Sequence, residues 1–356
     1  MRDLMASLTR LILLRLRREE RGAVGVIVAI LIGAGVLTGM GALVIDVGQL
    51  FQERGELQDG TDAAALGVAK SCALGSCTPA VAVQLADANA SSLTGGTASV
   101  DLVCGSGALG LCPASTGTFT SCPSAPPGGT NYVEVNTSAL TPPAFGSSST
   151  TVRACAQAEW GPPAAATTAA IAISACEWDQ ATQQGALFGP GPGGGPPAAS
   201  FDQLLTTADL GKGGGCATEP AVDDPARTFG WVAHPRGNCT LQVSGGSFTG
   251  RGTWGRFSCQ AVLQNAWQSQ VPILVPVYTT FGANTYGLQG FADFVVTGYN
   301  LPRVSQAQDL LDPANTCPAT DTETCLSGYF VQGLIPTTGS ITTGPGLGAS
   351  VIDLTG

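Results

Sequence analysis

The sequence predicts an α+β protein: a long N-terminal transmembrane-plus-stalk helix, followed by a disulfide-rich, mostly β extracytoplasmic region. Three observations predict this class. Residues 22–45 form an uncharged apolar run, and at about 1.5 Å per residue its roughly 36 Å of helix can cross a hydrocarbon core of about 30 Å. A helical pattern continues directly after this run. All 12 cysteines, from Cys72 to Cys325, lie beyond it among short strand-like runs.

Residues 1–21 form a basic segment that predicts the orientation of the helix. Its arginines are Arg2, Arg10, Arg15, Arg17, Arg18 and Arg21. By the positive-inside rule this segment stays in the cytoplasm, so the chain from residue 46 onward is expected outside the plasma membrane. An even number of cysteines on the outer side independently indicates disulfides in an oxidising compartment.

A cleaved secretory signal is the competing interpretation of the same segment. The apolar run is longer than the roughly 7 to 15 residues typical of a signal core. The small residues near its end, Gly39 and Gly41, match a signal cleavage site poorly. We therefore expect the anchor to be retained, with Asp46 marking the point where the helix reaches the outer interface.

Residues 46–72 predict a stalk helix, because apolar and small residues recur there at helical spacing. The stripe consists of Val47, Leu50, Leu57, Ala64 and Val68. It fits packing on a partner helix or, equally, on the chain's own globular part. Within the apolar run, a G-x-x-x-G pattern permits close approach of a second helix. The expected helix-association residues are Gly35, Gly39, Leu50, Leu57 and Ala64.

The rest of the chain divides into three predicted parts: a small α+β ectodomain at 73–160, a linker at 161–170, and a β-rich, Gly/Pro/Cys-rich ectodomain at 171–356. A helix is expected from Pro79 to about Ala90. The predicted strands are 98–104, 132–137, 151–160, 170–175, 229–233, 239–243, 271–280, 290–299, 329–335 and 349–354. Pro272 and Pro276 predict that the run at 271–280 is an edge strand or is split. The expected local disulfides are Cys72–Cys77 and Cys317–Cys325, which flank turns rich in Gly, Pro, Ser and Thr.

Charge and motif content argue against several functions. The net charge of −10 becomes more negative outside the arginine-rich segment, so no nucleic-acid partner is expected. The only histidine is His234, and no serine lies in a G-x-S-x-G pattern. The chain has no C-x-x-C pair and no Walker loop, while Asp87-x-Asn89-x-Ser91 and the Asp321/Glu323 pair are weak metal patterns. We expect no catalytic residue, no metal and no cofactor.

The stalk and the residues flanking the apolar run carry a family resemblance. In order and spacing, the segments Arg21-Gly22, Asp46-Val47-Gly48, Arg54, Leu57-Gln58, Asp62-Ala63-Ala64-Ala65-Leu66 and Ala69 resemble the amino-terminal signature of the TadE/TadG-like proteins of bacterial tight-adherence (Flp) pilus systems. The resemblance covers residues 21–69. Its signature residues here are Asp46, Gly48, Gln58, Asp62 and Ala65.

This resemblance implies a membrane-anchored, non-enzymatic structural or assembly component. Its expected partners are the membrane and other pilus-assembly or pilin-like subunits. Self-association is an option that the G-x-x-x-G pattern permits separately. Ile27 stands where prepilin peptidase substrates carry a glutamate, so pilin-type processing is not expected. The alternative is a surface adhesin, with Trp231, Trp254 and Trp267 as candidate stacking residues. An exported hydrolase is the third hypothesis.

Overall fold

The structure is a computed structural model, and most of the chain can be described from it. The described residues are 2–93, 98–113, 122, 130–145, 148–191, 194–206, 229–233, 238–249, 255–282, 285–313, 324–335 and 340–355. Three features named above lie outside them: His234, Trp254 and the segment from Cys317 to Glu323.

A single long helix dominates the amino-terminal part of the chain. Helix α1 runs over 72 residues, so the apolar run and the stalk form one uninterrupted element, as predicted. The helices of the described residues are α1 (Arg2–Ala73), α2 (Pro79–Leu93), α3 (Ala175–Thr182) and α4 (Gly255–Ser269). Sequence periodicity predicted α1 and α2 but neither α3 nor α4. The fold class, α+β with a long amino-terminal helix before a mostly β region, is confirmed.

Strands are the main elements in the described part of the head, which we define as residues 79–355. They are β1 (Ala98–Gly105), β2 (Asn131–Thr141), β3 (Thr150–Gly161), β4 (Ala165–Ala169), β5 (Ile171–Ser174), β6 (Gln203–Thr206), β7 (Phe229–Trp231), β8 (Thr240–Ser244), β9 (Ser247–Thr249), β10 (Ile273–Gly282), β11 (Thr285–Leu301), β12 (Ser305–Ala307), β13 (Cys325–Val331), β14 (Gly333–Leu334) and β15 (Ala349–Leu354).

The first sheet, which we call the stalk sheet, has the order β1-β2-β3-β15-β14. β15 returns from the end of the chain and pairs antiparallel with β3, from Val351 opposite Gly161 to Leu354 opposite Ala158. The two predicted ectodomains therefore share one sheet. The predicted linker at 161–170 differs as well, since it contains β4, which pairs with β8 in a separate two-stranded sheet.

The second sheet has the order β6-β13-β11-β10-β5-β7, with β9 and β12 paired to the long strand β11. The expectation that Pro276 marks an edge or a break is wrong, because β10 is continuous and lies between β11 and β5. The proline is tolerated there because β5 pairs with β10 only at Val277 and Tyr278. Pro276 itself lies opposite Phe291 in the antiparallel ladder with β11.

Candidate functional site: the membrane helix and its junction with the head

The apolar part of α1 makes no contact that buries it. Among the described residues, α1 from Val24 to Ala73 is the one helix whose length and composition suit a membrane crossing, and its most apolar window is 0% buried. Leu37 and Val44 are 73% and 70% exposed. Large apolar side chains left in water along a whole helix are unfavourable, so this surface requires an apolar environment.

The stalk part of α1 packs on the chain's own head. Leu57, Thr61, Ala64 and Val68 are all fully buried. Leu57 contacts Ala139, Val152 and Ala154 of the stalk sheet, and the half-buried Leu50 packs at the edge of the same cluster. Ala64 and Val68 belong to a larger cluster that includes side chains from α2, β2 and β3.

For Leu57, Ala64 and Val68, this packing favours one of the two alternatives left open for the stripe, whereas Val47 is 41% exposed. Leu57 and Ala64 contact the stalk sheet and have no exposed surface left for a second helix. The alternative of packing on the chain's own globular part thus describes the stalk. Gly35 and Gly39 lie in the apolar part, where a Cβ added at either position would meet nothing within 4 Å.

Asp46, at the end of the apolar run, makes a contact that the sequence did not indicate. Its Oδ1 accepts hydrogen bonds from the backbone N–H groups of Ala144, at 2.8 Å, and Phe145, at 3.2 Å. These residues belong to the loop between β2 and β3. The carboxylate therefore ties the head to the helix at the first position after the uncharged run, and charge-assisted bonds of this kind are the stronger ones.

Two further polar side chains of the stalk, Gln58 and Thr61, bind the stalk sheet. Gln58 donates from Nε2 to the carbonyl of Cys155 on β3, at 3.0 Å, and to Asp62 Oδ1, at 2.8 Å. The Thr61 hydroxyl donates to the Leu57 carbonyl at 2.6 Å and contacts the hydroxyl of Thr137 on β2. Thr61 interrupts the apolar stripe in the sequence because its position carries this buried polar contact.

The residues that carried the family resemblance can now be placed. Asp46, Gln58 and Asp62 form the polar contacts just described. Ala65 is fully buried where residues 46–73 of α1 meet the stalk sheet, its β2–β3 loop and α2, a contact region that we call the junction. Gly48 is exposed, and a Cβ there would meet no atom within 4 Å. Four of the five signature residues thus act at, or directly support, the junction between helix and head.

Residues 22–71 match a family model. Its description is "Putative Flp pilus-assembly TadE/G-like". The match confirms the resemblance over a segment of the chain, which we call the Tad segment, and supports a Flp pilus-associated role. The Tad segment spans the apolar part of α1 and nearly all of the stalk. No curated protein and no solved structure matches the chain.

The Tad segment ends at a turn closed by a disulfide. Cys72 is bonded to Cys77, and the intervening Gly75 has φ +79°, a left-handed conformation that favours glycine. The other described disulfides lie in the head and are Cys104–Cys112, Cys122–Cys155 and Cys239–Cys259. Cys176 and Cys325 are also disulfide-bonded, and no described cysteine is free.

These disulfides also account for the clusters in the described residues that could otherwise suggest a metal site. Glu134 lies close to two cysteine pairs, Cys104 with Cys112 and Cys122 with Cys155. Each pair is a disulfide, so neither supplies the thiolates that would bind a metal. Asp87, one of the weak metal patterns, instead accepts a hydrogen bond from the Val100 backbone N–H at 3.3 Å.

Two aspartates with shifted pKa values lie in or beside the second sheet, Asp293 in β11 and Asp309 just after β12. Burial raises the pKa of Asp293, in the middle of β11, to about 7. Its carboxylate lies against Gly333, where a Cβ would have no room. Burial also acts to raise the pKa of Asp309, but hydrogen bonds with Asp202, from the backbone N–H groups of Asp312 and Leu311, and with Ser327 bring it below the ordinary value. These bonds give Asp309 a structural role.

The tryptophans bear on the adhesin alternative. Trp231 is 4% exposed and packs edge-on against Phe229 in the core, with ring centroids 5.7 Å apart. Trp267 is half-buried and donates from Nε1 to the Gln308 carbonyl at 3.1 Å. The buried ring of Trp231 therefore offers no open face for stacking on a sugar, whereas Trp267 is only partly covered by the core of the second sheet.

Proposed function

We propose that the chain is a single-pass, extracytoplasmic structural or assembly component of a Flp/Tad-type pilus system and is not an enzyme. The observation that carries the proposal is that the Tad segment, residues 22–71, contains two features of α1. One is the exposed apolar surface of membrane-spanning length, and the other is most of the stalk side chains that dock on the head.

The orientation is part of the proposal. The basic residues before the apolar run favour a cytoplasmic amino terminus. The disulfides of the head favour an oxidising compartment on the other side. Residues 1–21 would then lie in the cytoplasm, 22–45 in the plasma membrane, and the stalk and head outside it.

The junction supports a structural role through its rigidity. Gln58 and Thr61 bind α1 to strands β3 and β2 of the stalk sheet, and Asp46 binds it to the loop between these strands. A head held this way moves together with its membrane helix. Such a unit can present a surface to pilus subunits at a defined height above the bilayer.

Deletion and complementation in the source bacterium test this function. Loss of the gene should abolish or shorten Flp pili, and the full chain should restore them. A chain with Leu57→Lys, which places a charge in the buried junction, should insert into the membrane but fail to restore pili. Leu66→Lys is the matched control, since Leu66 is 39% exposed on the same helix. Normal pili in the deletion strain would contradict the proposal.

A further inference from the structure

The loop between β2 and β3 begins with an apolar, uncharged segment. We call residues 142–145, Pro-Pro-Ala-Phe, the hairpin tip. It follows the last pair of the β2–β3 ladder, Thr141 opposite Thr150, and contains no charged residue. Phe145 is 65% exposed, and Leu140, just before the tip, is 62% exposed.

A series of contacts between α1 and the β2–β3 hairpin fixes where the hairpin tip lies along the helix. Thr61 contacts Thr137, Leu57 packs on Ala139, and Asp46 binds the backbone of residues 144 and 145. As β2 proceeds toward its end, its contacts on α1 move toward the apolar run. The hairpin tip is therefore level with the first residue after that run.

Position and chemistry together indicate what covers this surface. A bilayer of about 40 to 45 Å has a core of about 30 Å, which leaves an interface several ångströms deep on each side. If residues 22–45 fill the core, Asp46 and the hairpin tip lie in the outer interface. Aromatic and apolar side chains without nearby charge are stable there, whereas Phe145 facing bulk water loses the gain of burial. Phe51, about 7.5 Å further along the helix, is also 72% exposed.

We propose that the hairpin tip is a second membrane contact, with Phe145 inserted among the lipids of the same bilayer leaflet that α1 leaves. This inference rests on the membrane anchoring in the proposed function. It goes further by assigning a lipid-binding role to the head. With α1 as one contact and the hairpin tip as another, the head cannot swing about the helix, and its tilt against the membrane is set.

Lipid is favoured over a second copy of the chain as the occupant. Any inserted chain brings its hairpin tip to the lipid surface, because Asp46 holds residues 144 and 145 beside the end of the apolar run. A second copy would cover the tip only in one particular side-by-side arrangement. A head with this excess of carboxylates would also repel another copy at close range.

Tryptophan fluorescence of the full chain in phosphatidylcholine vesicles tests the inference. Phe145→Trp places a probe at the tip, and the parent spectrum is subtracted to remove the native tryptophans. Leu111→Trp is the control, because Leu111 is 88% exposed and follows the end of β1 that pairs with Val133, at the opposite end of the stalk sheet. Vesicles brominated near the top of the acyl chains act as the quencher, and flotation measures anchoring separately.

The inference predicts blue-shifted F145W emission that brominated vesicles largely quench, and L111W emission that they leave unchanged. Floated protein in which both probes resist quenching would overturn the inference and leave the anchoring intact. An F145W shift that changes with the protein-to-lipid ratio, without quenching, would also overturn it by showing a second copy on the tip. Failure of all variants to float would contradict the proposed anchoring itself.

Discussion

The stalk junction and the core of the second sheet bury apolar surface in opposite ways. The junction is built mainly from small side chains: Ala64, Ala65, Ala156 and Ala158 are all fully buried. The second sheet is filled with aromatic rings. Among them are Phe291, Phe294, Phe330, Tyr278 and Tyr286.

The difference shows how each region is stabilised. An alanine removes little apolar area from water, so at about 25 cal/mol per Å² the junction gains less per residue than an aromatic core. Small side chains do let the α1 backbone approach the sheet closely, which brings Gln58 and Thr61 within hydrogen-bonding reach of β3 and β2. The junction therefore depends more on polar contacts, and the second sheet on ring packing.

Truncating a ring in the second core should have the largest effect. Phe294 is fully buried, with its ring centroid 5.1 Å from that of Phe330. Phe294→Ala should lower the free energy of unfolding by about 3 to 5 kcal/mol, measured on the full chain in detergent. Leu111→Ala, at a side chain that is 88% exposed, should change it by less than about 0.5 kcal/mol in the same detergent. Equal losses for the two variants would contradict the assignment of the core.

Truncating Leu57, the largest fully buried side chain of the stalk, should have the next largest effect. Leu57→Ala should cost about 2 to 4 kcal/mol, because Leu57 is fully buried against the stalk sheet. Leu66→Ala, on the exposed side of the same helix, should be nearly neutral. Hydrogen exchange of the stalk amides in both variants measures how far each substitution weakens the docking of the stalk. If L57A exchanges like L66A, the stalk is not docked on the head.

The buried acid of the second sheet predicts a pH dependence confined to that region. The pKa of Asp293 is about 7 in the folded chain against an ordinary value of 3.8. Between these values the folded state holds a proton that the unfolded state has lost, so the free energy of unfolding falls as pH rises through this window. The fall should be on the order of 2 to 3 kcal/mol, since each pKa unit corresponds to about 1.4 kcal/mol and the group is not wholly removed from water.

Asp293→Asn isolates this contribution. The variant should lose this part of the pH dependence and be more stable than the parent at pH values above the folded pKa. Thermal melts at a series of pH values provide the measurement. An unchanged slope in D293N would mean that another group titrates there.

The smallest expected effect concerns the contact at the membrane end of the junction. Asp46→Ala removes the acceptor of two backbone N–H groups and should cost about 1 to 2 kcal/mol. Asp46→Asn keeps a neutral acceptor and should cost less. The amides of Ala144 and Phe145 should exchange fastest in D46A, less fast in D46N and slowest in the parent. Identical exchange in all three chains would show that Asp46 does not bind these two amides.

Local patterns in the sequence predicted much of the junction, and non-local contacts explain the rest. Helical spacing predicted the stripe of Leu57, Ala64 and Val68, because one period along one helix encodes it. The hydrogen bonds of Asp46 could not be predicted, since their donors are backbone amides almost 100 residues away that any side chain would supply. The pairing of β15 with β3 was missed for a similar reason.

The corrections within the second sheet have the same physical cause. Pro276 was expected at an edge because proline has no backbone N–H group to donate to a neighbouring strand. In the structure β5 is short and pairs with β10 only at Val277 and Tyr278, so β5 needs no donor from Pro276. The burial of Asp293 likewise depends on strands that meet only in the folded chain. Alternation of apolar and polar residues predicts that a segment is a strand. Which strands lie beside it depends on the topology of the folded chain.

Protease treatment of intact spheroplasts tests whether residues 22–45 span the membrane with the stalk and head outside. We expect a protected membrane fragment that begins at Met1 and ends soon after Ile45, with the head released by the external protease. A fragment beginning at Ala23 would reveal pilin-type processing, and a chain beginning at Ala42 would reveal a cleaved signal. Either start, or full protection of the head, would contradict the account.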